Sequence, residues 1–102
     1  MIHVLATVEV VPGKREDFLK EFRKVIPDVR REKGCVDYGP TVDMPTGIPV
    51  QNPPRDNVVV IVERWESLDA LKAHLVAPHM KGYRAAVKDI VKGMQVQVLQ
   101  PV

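Results

Sequence analysis

The chain has 102 residues, of which 45% are hydrophobic and 27% charged, and its formal net charge is +2 at pH 7. This length corresponds to one domain over residues 1–102, and the near-balanced charge gives no basic stripe for nucleic acid. The single cysteine, Cys35, excludes a disulfide framework and a cysteine-rich zinc site, and it favours a reducing compartment. No apolar run reaches the ~18 residues of a membrane span, and the N-terminus lacks the pattern of a signal peptide. We therefore expect a cytoplasmic protein with neither a nucleic-acid nor a membrane partner.

The first part of the chain has the pattern of a strand, a helix and a second strand. Alternating apolar residues predict a strand over residues 2–11, which the Pro12-Gly13 pair ends. Helical spacing predicts a helix over residues 14–31, kinked or restarted at Pro27 and stopped by Gly34. Its apolar stripe consists of Phe18, Phe22, Val25, Ile26 and Val29. A short strand over residues 35–42 follows, interrupted by Gly39-Pro40.

Residues 43–56 form a proline-rich insert in the hairpin between the second and third strands. The insert holds four of the nine prolines and shows almost no periodicity. It is longer than a hairpin connection normally is, and prolines favour a stiff, extended segment. We expect either a lid or an arm that contacts another subunit.

The second part of the chain predicts a strand, two helical segments and a last strand. The strand covers residues 58–65, and Ser67 is a suitable N-cap for the helix that follows. The Ala77-Pro78 pair should break this helix and begin another, which Gly93 ends before a strand over residues 94–99. The buried face of the second segment is predicted to carry Met80, Tyr83, Val87, Ile90 and Val91.

This order of elements predicts an α+β fold of the ferredoxin-like β-α-β-β-α-β type, with one antiparallel sheet and helices on one face. The strand over residues 58–65 is apolar on both faces, although a sheet with one wet face should alternate apolar and polar residues. A second copy of the chain could cover the bare face. We therefore predict a homodimer that forms through the sheet faces.

The segment over residues 63–83 carries most of the residues able to do chemistry. The residues that matter for a comparison are Glu63, Trp65, Ser67, Leu71, His74, Pro78 and His79. Together with the PGKREDFLKEF and EKGCVDY segments, this pattern resembles the antibiotic biosynthesis monooxygenase family, small dimeric α/β-barrel proteins that include quinol monooxygenases. The resemblance implies a small-molecule substrate. The chain has no glycine-rich phosphate loop, so a flavin or nicotinamide is not indicated, and we expect no cofactor. The haem-degrading relatives need a histidine where this chain has Arg84, so haem chemistry is not implied.

The candidate catalytic residues are His74, Glu63 and His79. His74 lies on the apolar side of its helix and could serve as a base that Glu63 orients, or it could be a structural hydrogen-bonding residue. His79 at a helix start could be a base, an acid or a rim residue. The two histidines are five residues apart across a helix break, which predicts no mononuclear metal site. The candidate substrate-binding residues are Trp65, Tyr83, Ile61, Leu71 and Met80.

Three functions remain open at this point. The first is a cofactor-independent monooxygenase that oxidises a small electron-rich phenol or quinol with O₂. The second is an isomerase or lyase that transfers protons on a small carbonyl compound. The third is a dimeric small-molecule-binding module without catalysis.

Overall fold

The computed structural model describes residues 1–102 and contains four strands and three helices. These elements are β1 (Ile2–Val10), α1 (Arg15–Arg30), β2 (Cys35–Thr41), β3 (Val58–Trp65), α2 (Leu68–Leu75), α3 (Pro78–Val87) and β4 (Val91–Leu99). The order confirms the predicted α+β ferredoxin-like arrangement, with α2 and α3 together forming the second helical unit. None of the helices is long and apolar enough to cross a membrane.

The strands form one antiparallel sheet in the order β2-β3-β1-β4. In this register Val4 lies opposite Glu63 on one side and opposite Val98 on the other. Residues directly opposite each other in antiparallel strands point to the same face. The helices cover this face. Glu63 of β3 and the apolar residues of β4 therefore lie on one surface beneath the helices, on either side of β1.

A row of aromatic side chains forms one half of the core. Phe22 stacks on Tyr38 at a centroid distance of 5.4 Å, and Tyr38 meets Trp65 edge-on at 6.5 Å. These three side chains are almost fully buried. The row connects α1 to β2 and β3, and it ends at His74 of α2, whose ring lies 4.7 Å from that of Trp65.

The boundary between α3 and β4 differs from the prediction. The helix ends at Val87 rather than near Gly93, and the Ile90 amide donates to the Val87 carbonyl in a turn. Residues 91–93 then join β4, where Val91 pairs with Val10 and Gly93 with Glu9. Pairing with β1 satisfies the backbone of this segment, and this tertiary effect outweighs its helical spacing.

The two interior prolines disturb the structure less than predicted. Strand β2 continues through Gly39-Pro40. It is an edge strand, so one of its sides has no neighbouring strand, and a proline without a backbone N–H is tolerated there. The continuous helix α1 contains Pro27 in its last turn.

The 43–56 insert has no helix or strand and is closed at its base by an ion pair. The Arg55 guanidinium donates to both carboxylate oxygens of Asp43, at 2.8 and 3.0 Å, and holds the pKa of that carboxyl at about 2. The tip is exposed and carries Met44, Ile48 and Val50.

Candidate active site

A largely apolar cavity of about 680 Å³ lies between the sheet and helices α2 and α3. Its floor consists of alternate residues of β1 and β4, and its roof consists of residues from the two helices. The apolar lining includes Val4, Ala6, Val8, Ile61, Leu71, Met80, Val87, Met94, Val96 and Val98. A cavity of this size and character suits a small apolar or aromatic ligand.

Helix α2 places His74 in the wall of this cavity. Ser67 caps the helix by accepting a hydrogen bond from the Ala70 amide, and the turn-to-turn spacing then puts Leu71 and His74 on the buried side. His74 is only 2% exposed. Burial lowers the pKa of His74, although its hydrogen bond to Glu32 opposes this effect. The neutral imidazole is therefore favoured.

One carboxylate oxygen of Glu32 bonds to both candidate histidines, His74 and His79. Glu32 Oε2 lies 2.8 Å from His74 Nδ1 and 2.8 Å from His79 Nε2. A carboxylate oxygen accepts hydrogen bonds, so each of these ring nitrogens carries the proton. In neutral His74 the other nitrogen, Nε2, is then an unprotonated acceptor.

Gly34 allows Glu32 to approach α2 this closely. It lies in the turn between α1 and β2 with a φ of +85°, a left-handed conformation that glycine adopts easily. A Cβ at this position would lie 2.6 Å from the Cβ of Ala70 on α2. The Gly34 carbonyl also accepts a hydrogen bond of 2.8 Å from the Glu66 amide. The turn that carries Glu32 is thus fixed against the helix that carries His74.

Glu63 lines the cavity from β3 and bonds to Trp65 rather than to a histidine. The Trp65 indole N–H donates to Glu63 Oε1 at 2.8 Å, and both side chains are almost fully buried. The pKa of Glu63 is raised to about 7, chiefly by burial; the hydrogen bond from Trp65 opposes this effect, and the charge of Glu32 adds to it. Glu63 can therefore exchange a proton near neutral pH.

Apart from the exposed cationic residues, four polar side-chain atoms of the lining have no partner within the chain. Hydrogen bonds use His74 Nδ1 and Glu63 Oε1, which leaves His74 Nε2, Glu63 Oε2 and the hydroxyls of Tyr38 and Tyr83 free. No buried side-chain nitrogen or oxygen lacks a partner, so these atoms border accessible space. Burial raises the pKa of both tyrosines, which keeps their hydroxyls protonated. The cavity thus offers one base and several hydrogen-bonding groups to a ligand.

Three cationic residues belong to the lining of the cavity. Lys72, Arg84 and Lys88 are exposed, whereas Glu63 is the only carboxylate of the lining. The Arg84 guanidinium donates to the Leu75 carbonyl at 2.7 Å and thereby joins α3 to α2. These cations favour a ligand that is anionic or becomes anionic.

Comparison with known proteins identifies the family. The sequence pattern of the family described as "Antibiotic biosynthesis monooxygenase" matches residues 1–86. The chain belongs to this monooxygenase family. It is 43% identical over 103 residues to the Escherichia coli (strain K12) protein named "Probable quinol monooxygenase YgiN", covering 99% of this chain and 98% of that protein.

Two further relatives extend the comparison. YcnE of Bacillus subtilis (strain 168) is 30% identical over 91 residues, which cover 89% of this chain and 86% of YcnE. Among solved structures, that of Rv0793 from Mycobacterium tuberculosis superposes with a TM-score of 0.80 at 26% identity, covering 99% of this chain and 94% of that one. The fold predicted from the sequence is thus the fold of monooxygenase-family proteins.

The structure brings most of the predicted site residues of this family member together. Six of them line the cavity: Ile61, Glu63, Leu71, His74, Met80 and Tyr83. Trp65 does not line it, because its ring lies behind His74 and its N–H is occupied by Glu63. His79 also lies outside the cavity, where it bonds to Glu32 and borders a smaller groove between α1 and α3. Trp65, a candidate substrate-binding residue in the sequence, is therefore a core residue whose N–H is satisfied by Glu63.

Sequence reasoning missed two residues of the site. Glu32, rather than Glu63, is the carboxylate that orients His74, and Tyr38 contributes a hydroxyl to the cavity. Both belong to the EKGCVDY segment, whose similarity to the family was visible in the sequence. The segment lies 42 positions from His74, so only the tertiary fold brings them together.

Proposed function

We propose that the chain is a cofactor-independent monooxygenase that oxidises a small electron-rich phenol or quinol with O₂. One observation carries the proposal: His74 lines an apolar cavity, Glu32 holds its Nδ1 at 2.8 Å, and its Nε2 has no hydrogen-bond partner within the chain. A base held in this way can remove a phenolic proton from a bound ring. The family and the printed name of the 43% identical relative support the same reaction class.

The reaction needs no external reductant, because the substrate supplies all the electrons. Transfer of the phenolic proton to His74 Nε2 leaves an anion that can pass an electron to O₂. Recombination forms a carbon–oxygen bond, and loss of water then completes the oxidation. A hydroquinone and O₂ give a hydroxyquinone and water, so one oxygen atom enters the product and the other leaves as water.

The remaining groups of the cavity suit this substrate class. The hydroxyls of Tyr38 and Tyr83 can donate hydrogen bonds to ring oxygens, and these bonds strengthen as negative charge develops. The apolar floor of β1 and β4 contacts the faces of the ring. The cationic residues of the lining raise the local concentration of an anionic substrate and stabilise its deprotonated form.

The decisive experiment measures oxygen incorporation. One- and two-ring hydroquinones are incubated with the protein under ¹⁸O₂, the rate without protein is subtracted, and the product is analysed by mass spectrometry. We expect one labelled oxygen atom per product molecule. His74→Ala should lower turnover by about 10²–10⁴-fold with the fold retained by circular dichroism.

The control is His3→Ala, which removes the histidine on the opposite face of the sheet and should keep full turnover. Wild-type turnover by His74→Ala would remove this residue from the mechanism. Turnover of a carbonyl substrate without O₂, and no ¹⁸O in any product, would instead indicate an isomerase or lyase.

A further inference from the structure

The cluster of Glu32, His74 and His79 has a feature that the proposed reaction does not use. Each residue offers one ligand atom, and the three atoms lie within 4.8 Å of one another. They come from three separate elements: the turn after α1, the last turn of α2 and the first turn of α3. The prediction of no metal site considered only the spacing of the two histidines and did not include a carboxylate from elsewhere in the chain.

The donor set determines which ions could bind. Two imidazole nitrogens and one carboxylate oxygen match borderline divalent ions such as Zn²⁺, whereas Mg²⁺ and Ca²⁺ prefer oxygen ligands. Three protein ligands leave a fourth position for water. Solvent can reach it, because the side chains of His79 and Glu32 are 24% and 14% exposed.

We propose that Glu32, His74 and His79 form a binding site for a Zn²⁺-type divalent cation, and that the bound cation blocks the base function of His74. The site lies behind the cavity wall rather than inside the cavity, since Glu32 and His79 do not line the cavity.

Binding requires a modest rearrangement of the cluster. The two nitrogens now lie 2.8 Å from Glu32 Oε2, and all three ligand atoms lie within 4.8 Å of one another. Ligands at about 2.0–2.1 Å from a tetrahedral Zn²⁺ lie roughly 3.3 Å apart, so each nitrogen–oxygen pair must widen by about half an ångström and the two nitrogens must reach the same spacing. His79 can make this adjustment, because it is partly exposed and lies at the beginning of α3.

The proton balance explains why binding would block the base. A metal ion on His74 Nδ1 displaces the proton that this nitrogen now donates to Glu32. The neutral ring then carries its proton on Nε2, so the nitrogen that faces the cavity becomes a donor and cannot accept a proton from a substrate. Binding at His79 Nε2 displaces the proton that this nitrogen donates to Glu32 in the same way.

The first test is binding itself and is independent of any activity. Metal-free wild type is titrated with Zn²⁺ by isothermal calorimetry, and with Co²⁺ by its visible absorption. We expect one ion per chain and a raised melting temperature, because only the folded state assembles the site. His79→Ala and Glu32→Gln should each weaken binding at least about tenfold, whereas His3→Ala should bind as wild type does.

If Glu32→Gln fails to fold, His79→Ala still tests the site. His79 is the most exposed of the three ligands, so its replacement should disturb the fold least. Binding that is equally strong in His79→Ala and wild type would overturn the proposal, and so would the absence of binding below about 1 mM.

The effect on His74 rests on the proposed function. Zn²⁺ at a concentration that the calorimetric titration shows to saturate the site should abolish hydroquinone oxidation in wild type, and a chelator should restore it. Full turnover with the site occupied would overturn the blocking of His74. If no form of the protein oxidises hydroquinones, the proposed function fails, but the calorimetric result still decides the metal site.

Discussion

The two carboxylates of the site, Glu32 and Glu63, have different surroundings. Glu32 is partly exposed and shares one oxygen between two imidazoles, whereas Glu63 is 5% exposed and has a single hydrogen bond from Trp65. A buried carboxyl with one donor is costly to ionise, because one hydrogen bond does not replace its hydration. Glu63 is therefore the residue whose protonation should affect the stability of the fold.

Stability should fall as the pH rises through the pKa of Glu63. The folded-state pKa, about 7, lies above the ordinary value of 4.5. The folded state thus keeps a proton that the unfolded state has lost, and this stabilisation is full below about pH 4.5 and is lost as the pH rises through about 7. Between pH 5 and pH 8 we expect Glu63 to reduce the free energy of unfolding by about 1–3 kcal/mol.

Urea unfolding of wild type and Glu63→Gln at both pH values measures this difference. The glutamine side chain still accepts the Trp65 N–H but cannot ionise, so its stability should depend less on pH. Glu66→Gln, at an exposed position just after β3, serves as the control and should retain the wild-type dependence. An equal dependence in Glu63→Gln would show that Glu63 keeps an ordinary pKa.

For single residues, the sequence predicted which side chains line the site better than it predicted their hydrogen-bond partners. Period-two alternation correctly placed Glu63, Ile61 and Trp65 on one face of β3. The same alternation could have predicted the bond between Glu63 and Trp65, which are two positions apart. The bond between Glu32 and His74 could not be predicted from spacing, because it depends on how closely a turn approaches a helix.

At the scale of elements, the turn before β2 determines the position of Glu32. Two glycines in turns, Gly34 and Gly13, have nearly the same backbone conformation, with φ of +85° and +82°. Only Gly34 has a neighbour that an added Cβ would meet, Ala70 on α2. Comparing the same substitution at Gly34 and at Gly13 therefore separates the effect of backbone strain from the effect of close packing.

Gly34→Ala should destabilise the protein more than Gly13→Ala does. Both substitutions place an alanine in the left-handed region, which costs about 1–2 kcal/mol. Gly34→Ala also forces the turn away from α2, and we expect this to add about 1–3 kcal/mol and to lower turnover by moving Glu32. Urea unfolding gives both values. Equal losses in the two variants would mean that the turn moves freely and does not hold Glu32.

Element boundaries were predictable where local signals agreed. Ser67 and the Ala77-Pro78 pair correctly placed the start of α2 and the break before α3, because capping and proline geometry act within a few residues. The end of α3 was not predictable in this way. Residues 88–93 continue the helical spacing, but pairing with β1 draws their last part into β4.

At the scale of the whole molecule, the face of the sheet opposite the helices has no cover within the chain. Leu5 and Val62 lie directly opposite each other on this face and are 36% and 37% exposed. Val58 and Val60 extend the same apolar surface along β3. A second copy of the chain, placed sheet against sheet, would remove this surface from water.

We propose a homodimer, with a mass of about twice 11.5 kDa in sedimentation equilibrium at micromolar concentration. Val62→Glu should shift the protein toward the monomer, because it would place two carboxylates in the contact. Val76→Glu changes an apolar residue that is 70% exposed on the helical side, and it should remain dimeric. A monomeric wild type, or a dimeric Val62→Glu, would contradict this arrangement.

The joint between α2 and α3 has a consequence for how a substrate reaches His74. Glu32 binds a histidine on each helix, and Arg84 of α3 bonds to the last residue of α2. The two helices of the roof are therefore braced together and cannot separate easily to admit a molecule. The β4 side of the cavity floor, by contrast, is open, since Met94, Val96 and Val98 are 60%, 49% and 42% exposed. We expect substrate and product to enter and leave the cavity along this outermost strand.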